Sequence, residues 1–371
     1  CIPQAHADLV GGAWNRSRWQ GVELCEKTLG IVGLGRIGWR FHLPEVVGHD
    51  GFELVGVVDP LASRLEEARD TFGAPGYEDL SSCLEQTTPD LVVIASPTPF
   101  HAEQTLACLE AGSDVFCDKP MAATLEEADT MVAAAGAHER KLMMYQPARA
   151  GADVVSLQKI LATGLIGPVY MIKYARTNFT RRNDWQAMRC HGGGMLNNYG
   201  AHVIDVCLHV AASTARSVTC HLDTIASLGD ADDVVKAVIQ TDSGVLIDID
   251  INMAAAQPTG PRWQVLGHHG SLLHTDDGWR VRSFDPARLS AVALDDSGTM
   301  AATDRQYGSG EEIPWQDQEL PIDTQGIQYY EQCHAYFARD EEPFVPLSQS
   351  RELMRVLDAC RQDAAGRSQT R

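Results

Sequence analysis

Gly33-Leu34-Gly35-Arg36-Ile37-Gly38 sets three glycines at the spacing that turns a chain out of a strand and aims a helix N-terminus at a pyrophosphate. The first glycine permits the turn, the second lets backbone approach the phosphates, and the third lets helix and strand pack closely. Asp59 ends the next apolar run, near the spacing of about 20 residues expected for a carboxylate that accepts ribose hydroxyls. An ordinary βαβ turn with a capping Asp is the plainer reading of each feature alone. A carboxylate here repels a 2′-phosphate, which favours NAD over NADP, and Arg64 softens that preference. Taking hydride from a carbinol carbon requires the hydroxyl proton to leave, so it needs a base near neutral pKa and a cation beside the developing alkoxide. His202 and Lys119 are the residue types that supply these. Asn198 and His202 are four apart and share one helix face, with Asp205 a turn beyond the histidine at another angle. Alone, His202 reads as a satisfied helix-face histidine and Lys119 as a loop cation.

The elements that must position these residues follow from the pattern of apolar runs. Residues 28–32, 52–58, 91–95, 115–117 and 141–145 read as strands, alternating with helices over 63–72, 100–111 and 125–138 and a short one over 79–84. The alternation predicts a doubly wound parallel sheet. Ligands on such sheets bind beyond the C-terminal strand ends, where residues 33–38, Asp59, Ser96-Pro97-Thr98 and Asp118-Lys119-Pro120 all fall.

After Arg149 the pattern changes to a helix (154–163), a strand (169–177), a polar loop containing Arg181, Arg182, Asn183, Asp184 and Trp185, and a helix (199–211) opened by Gly192-Gly193-Gly194. Strands over 215–221, 234–241, 245–252, 263–266 and 271–274, joined by short turns, predict an open, mostly antiparallel sheet. Residues 278–321 are turn-rich and unassigned. Helices over 327–338 and 349–364 finish this part. The expected organisation is an N-terminal extension (1–27), a Rossmann domain (28–147), a C-terminal α/β domain for substrate and assembly (148–365), and a tail (366–371). The Arg182–Trp185 loop mixes donors, an acceptor and an aromatic face as a sugar site would, or is a solvated turn. Arg149 is either a substrate-side arginine or half of an interdomain salt bridge.

With 371 residues, 44% hydrophobic and 22% charged, the chain is long enough for two cores. A net charge of -20 without a dense basic block argues against nucleic acid or an anionic membrane as partner. The ten cysteines form no CxxC or zinc-spaced set, so no metal is expected and the thiols read as reduced and packed in a cytoplasmic protein. No secretory or membrane-spanning run is present.

Residues 33–38, Ala111-Gly112-Ser113-Asp114-Val115-Phe116-Cys117-Asp118-Lys119-Pro120 and residues 192–205 together resemble, in order and spacing, three signature stretches of the glucose-fructose oxidoreductase and inositol dehydrogenase family (Gfo/Idh/MocA). The match runs from about residue 29 to the C-terminal helices. It implies hydride exchange between NAD, or NADP, and a secondary hydroxyl of a sugar, polyol or sugar derivative. By this resemblance Gly33, Gly35, Arg36, Ile37, Gly38, Asp59, Ser96, Pro97, Thr98, His101, Asp118 and Lys119 contact the cofactor. Lys119 matches the lysine of an E-K-P motif and bonds the reacting hydroxyl, with Asp118 replacing Glu. His202 matches the general base, and Asn198 stands where Asp is frequent. Arg149, Arg182, Trp185, Asn198 and His202 are the substrate-side candidates. Family members commonly assemble as dimers or tetramers through the open sheet. The resemblance also leaves an NAD-dependent glycoside hydrolase, or a nucleotide- and sugar-binding regulator, as alternatives. Residues 1–30 resemble instead the segment leading into the cofactor domain of D-2-hydroxyacid (phosphoglycerate) dehydrogenases, a likeness that stops beyond Gly38.

Overall fold

Near-continuous apolar runs mark strands covered on both faces, and the five expected runs form one parallel sheet. The computed structural model describes residues 27–294, 308, 310–322 and 325–368; the N-terminal arm (1–26) and residues 369–371 lie outside the described residues. Strands β1 (Lys27–Val32), β2 (Phe52–Val58), β3 (Gly76–Tyr77), β4 (Leu91–Ile94), β5 (Asp114–Asp118) and β6 (Leu142–Tyr145) run in the order β3-β2-β1-β4-β5-β6. β3 is a two-residue edge paired with Val57 and Val58, too short to leave a periodic signal. The strand order reverses between β1 and β4, so a crevice opens at their C-terminal ends.

Local signals start and stop the crossovers. After a wide π turn (Gly38–His42) comes α1 (Leu43–Val47), then α2 (Ala62–Phe72), α3 (Leu80–Thr87), α4 (His101–Glu110) and α5 (Leu125–Ala137). Asp79 caps α3 by accepting the Ser82 amide at 2.8 Å. Thr124 and Glu127 form a reciprocal capping box on α5.

The second layer has α6 (Ala152–Ala162), β7 (Val169–Thr177), α7 (Ala201–Ala211), β8 (Ala215–Asp223), β9 (Val234–Thr241), β10 (Leu246–Asn252), β11 (Trp263–Gly267), β12 (Gly270–His274), β13 (Gly278–Ser283) and β14 (Gln316–Pro321). Its order is β14-β13-β12-β11-β7-β10-β9-β8, antiparallel except where β7 meets β10. The α/β class and the mostly antiparallel second sheet are therefore as expected. β13 and β14 fall inside the unassigned stretch. β14 reads Gln-Asp-Gln-Glu-Leu-Pro and carries no apolar face to announce it, while β13 hides Trp279 and Val281 between Arg280 and Arg282.

The last two helices cross back toward the first layer. α8 (Tyr329–Arg339) buries Tyr329, Tyr330, Cys333 and Phe337 in one cluster with Leu29, Ile31, Phe116 and Met143, so it completes the first sheet, not the second as chain order suggests. α9 (Leu347–Ser368) packs on α5, α7 and β8.

Candidate active site

The three glycines of residues 33–38 do separate work. Gly33 has φ +91°, and a Cβ there would meet the Ser96 nitrogen at 2.7 Å. A Cβ on Gly38 would meet the Gly33 carbonyl oxygen at 2.0 Å, so this glycine lets the helix lie against the strand. Gly35 has nothing within 4 Å of that position, which leaves backbone open to a ligand. Arg36 and Ile37 begin the helical path, Arg36 being exposed. Asp59, 2% exposed, accepts the Leu34 amide at 2.9 Å and the Leu61 amide at 3.0 Å. It thereby ties the glycine turn to the end of β2. Arg64 lies over the same carboxylate at 3.0 Å. A turn with one open glycine, a carboxylate at the β2 end and a crevice at the strand reversal fit a dinucleotide.

Behind this cradle, His101 joins two loops. Its Nδ1 is 2.9 Å from the Pro120 carbonyl and its Nε2 2.8 Å from the Ser96 carbonyl, and the residue is 1% exposed. The Ser96 hydroxyl donates to Gln104 at 2.6 Å, and Thr98 is buried in the turn after Pro97. The Asp118 carboxylate folds back to accept its neighbour's amide at 2.8 Å, and burial pushes its carboxyl above the ordinary range.

Across the crevice, Lys119 donates to the Asn198 carbonyl at 2.7 Å and stands 3.5 Å from the Asn198 side-chain oxygen. This spans the two layers. Burial pulls its ammonium down to about 8; Asp118 opposes that shift and Arg182 adds to it. His202 is held well below its ordinary value, first by burial and then by the cations Lys119 and Arg176. Its Nδ1 is buried with no partner. Its Nε2 is not sealed in and has no hydrogen bond among the described residues, so a neutral imidazole near an ammonium can take a hydroxyl proton there while the ammonium faces the oxygen.

The α7 approach is built by residues with no local signature. Asp232 accepts the Leu196 amide at 2.8 Å, and a Cβ on Gly194 (φ +106°) would strike its carboxylate. Asn197 is held by Gly192 and by Arg361 at 2.5 Å. The Asn198 amide donates to Gln186 at 3.2 Å, and among the described residues no hydrogen bond joins it to His202.

Two expected substrate-side residues have other settings. Arg149, 2% exposed, forms a bidentate pair with Asp205 at 2.7 and 2.6 Å and donates to Gln349 at 2.6 Å. The salt-bridge alternative is thus the one the geometry provides, and it also removes Asp205 as a stand-in for an acidic partner of His202. Arg182 is paired to Asp184 at 2.8 and 3.0 Å, close enough for its charge to act on Lys119, while Trp185 is 42% exposed. Gln186, Asp232 and Arg361 were not singled out from sequence. Their partners lie 12, 36 and 164 residues away, so nothing local marks them.

Comparison with known proteins identifies the family of both parts of the chain. Residues 27–146 match the model of an oxidoreductase family with an NAD-binding Rossmann fold, and residues 154–273 match the GFO/IDH/MocA C-terminal domain. The chain is 28% identical over 248 residues to a scyllo-inositol 2-dehydrogenase (NADP(+)) of Bacillus subtilis, covering 66% of this chain and 68% of the relative. It is 30% identical over 196 residues to a D-glucoside 3-dehydrogenase of Escherichia coli, covering 52% and 56%. The crystal structure of an NAD-binding protein from Listeria innocua superposes with a TM-score of 0.79 at 24% identity, covering 92% of this chain and 96% of that one.

Proposed function

The chain belongs to the GFO/IDH/MocA oxidoreductase family, and from that premise we propose that it exchanges hydride between a nicotinamide cofactor and a secondary hydroxyl of a sugar, polyol or sugar derivative. The observation that carries this reading is the neutral, partly exposed His202 imidazole close to Lys119 at the open end of the parallel sheet. Bound NAD supplies the hydride acceptor. Residues 33–38 would hold its pyrophosphate and Asp59 its ribose; NADP use is tempered by Asp59 and eased by Arg64. His202 accepts the hydroxyl proton at Nε2, the ring nitrogen that its surroundings leave accessible. Lys119, fixed by the Asn198 carbonyl, faces the oxygen and stabilises its growing charge. Asn198 acts mainly through that backbone carbonyl, so loss of the frequent Asp leaves the lysine anchored. Arg182 and Trp185 border the substrate side. Arg149 serves by locking α7 in place.

Assembly as a homodimer or homotetramer is part of the proposal. Leu266, Met171 and Leu246 are adjacent in register on the face of the second sheet opposite its buried residues, and each is half-buried in the single chain. Light scattering on the purified protein tests this; a monomer at micromolar concentration contradicts it. The described cysteines are unpaired and all but Cys190 are buried, which suits the cytoplasm, and no helix among the described residues is long and apolar enough to cross a membrane.

The test of function is mass spectrometry of nucleotide bound to the purified protein, followed by absorbance at the NADH band with sugars, inositols and glycosides. NADH formed with a sugar or polyol supports the reading. Glycoside cleavage without net NADH, or no binding of NAD and NADP, overturns it.

A further inference from the structure

Along β7, Ile172, Tyr174 and Arg176 alternate onto one face; the first two are buried in the core beneath α7. The row therefore ends in a cation where it leaves the core. The Arg176 guanidinium lies over the Tyr199 ring, 3.9 Å from its centroid. Tyr199 directly follows Asn198, so this stack borders the reacting pair. Among the described residues Arg176 makes no ion pair and no side-chain hydrogen bond.

Other arginines around the site are committed. Arg149 is paired to Asp205, Arg182 to Asp184, and Arg262 donates to the Tyr174 hydroxyl at 3.0 Å with Asp153 at 3.6 Å. Arg176, Thr177, Asn178, Tyr199 and Arg262 line a cavity of about 350 Å³ whose lining contains no carboxylate. In a chain of net charge -20, a guanidinium left unpaired among the described residues at such a cavity has a place for an anion. Stacking fixes the plane of the fork, which pre-organises two parallel N–H donors toward a planar or tetrahedral oxyanion.

We propose that Arg176 receives a carboxylate or phosphate carried by the substrate, so that the enzyme acts on acidic sugars or polyols in preference to neutral ones. This rests on the oxidoreductase reading of the Lys119–His202 site. It also accounts for the cation's second effect. Burial first holds His202 unprotonated, and Arg176 is one of the two cations that add to it. An anion on Arg176 cancels part of that charge when substrate is present, and strengthens the base only then.

The test is calorimetric binding to the NADH-saturated protein of hexuronates, aldonates and hexose phosphates, each beside its neutral parent, for wild type, Arg176→Gln and Arg176→Lys. One acid class binds wild type about 10- to 100-fold more tightly than its parent, the range of a charge-assisted bidentate pair. The acid-to-neutral ratio falls toward one in Arg176→Gln and is intermediate in Arg176→Lys, whose charge remains without the fork. Carboxylates preferred over phosphates, or the reverse, identifies the source of the anion. Neutral parents binding as tightly as every acid, or a preference that survives Arg176→Gln, overturns the proposal. Failure of the underlying reading looks different: acids bind through Arg176, yet no member of the panel reduces NAD.

Discussion

Two charged clusters join the loops of the first sheet to α7, and they differ in whether every polar valence is filled. In one, Arg149 and Asp205, both all but sealed from solvent, satisfy each other through two hydrogen bonds, and the exposed Gln349 takes a third donor. In the other, a turn earlier on the same helix, Lys119 has a carbonyl but no carboxylate on its ammonium, and His202 has a buried nitrogen with nothing on it. Buried polar groups are paired as a rule, so among the described residues the second cluster is left incomplete. His42 also has an unpartnered nitrogen, but inside an aromatic cluster of Phe116, Tyr145 and Tyr330, where burial takes its pKa to about 3. An orphan atom in an aromatic core marks a packing residue; on a partly exposed ring near a cation it marks a residue able to act.

The largest effect follows from deleting the open cluster. His202→Ala is expected to lower kcat by about 10²–10⁴-fold, the usual worth of a positioned base. Lys119→Met loses about 10²–10³-fold, as for one removed donor to a developing oxyanion. Both variants keep the unfolding midpoint of wild type within a few degrees. Steady-state NADH formation and thermal unfolding check this; turnover preserved in either variant breaks the contrast between the clusters.

The closed cluster should behave the opposite way. Arg149→Met strands a buried carboxylate and is expected to cost about 3–5 kcal/mol in denaturant unfolding. Arg149→Met with Asp205→Leu should recover most of that, because a well-packed apolar pair can replace a buried ion pair. Should Arg149→Met unfold like wild type while KM rises tenfold, Arg149 belongs with the open cluster.

The pH dependence of kcat/KM separates the roles within the open cluster. His202 accepts a proton only when neutral, and its shift lies well below 6.5, so the acid limb falls there. Lys119 is charged below about 8. As a donor to the alkoxide it must stay charged, so kcat/KM declines about tenfold per unit above that pH. A rise through the same value would make Lys119 the base and His202 the orienting group.

What could be read from the sequence divides along the same line. The parallel strands were legible because both of their faces are apolar, and the glycine turn, Lys119 and His202 because each sits in a contiguous pattern. Arg149 was legible as a charged junction residue but not as a closed pair, since Asp205 is 56 residues away. Asp232, Arg361 and the cavity side of Arg176 are long-range arrangements with no local periodicity. β14 escaped because a polar edge strand has no buried face to set a period of two.

Asp59 and Arg64 lie between the two extremes, a buried carboxylate under a guanidinium that is 42% exposed. The carboxylate has structural work in holding the Leu34 and Leu61 amides, so replacing it would disturb the turn as well as the cofactor. Replacing the arginine disturbs less. Exposed ion pairs are worth about 0.2–1 kcal/mol, so Arg64→Met should raise the preference for NAD over NADP by only about twofold to fivefold. The sign follows from charge: without Arg64, Asp59 repels a 2′-phosphate uncompensated. Ratios of kcat/KM for the two cofactors measure it. A shift toward NADP would mean that Arg64 holds the carboxylate in its NAD-accepting position, and the pair would then belong with the closed cluster.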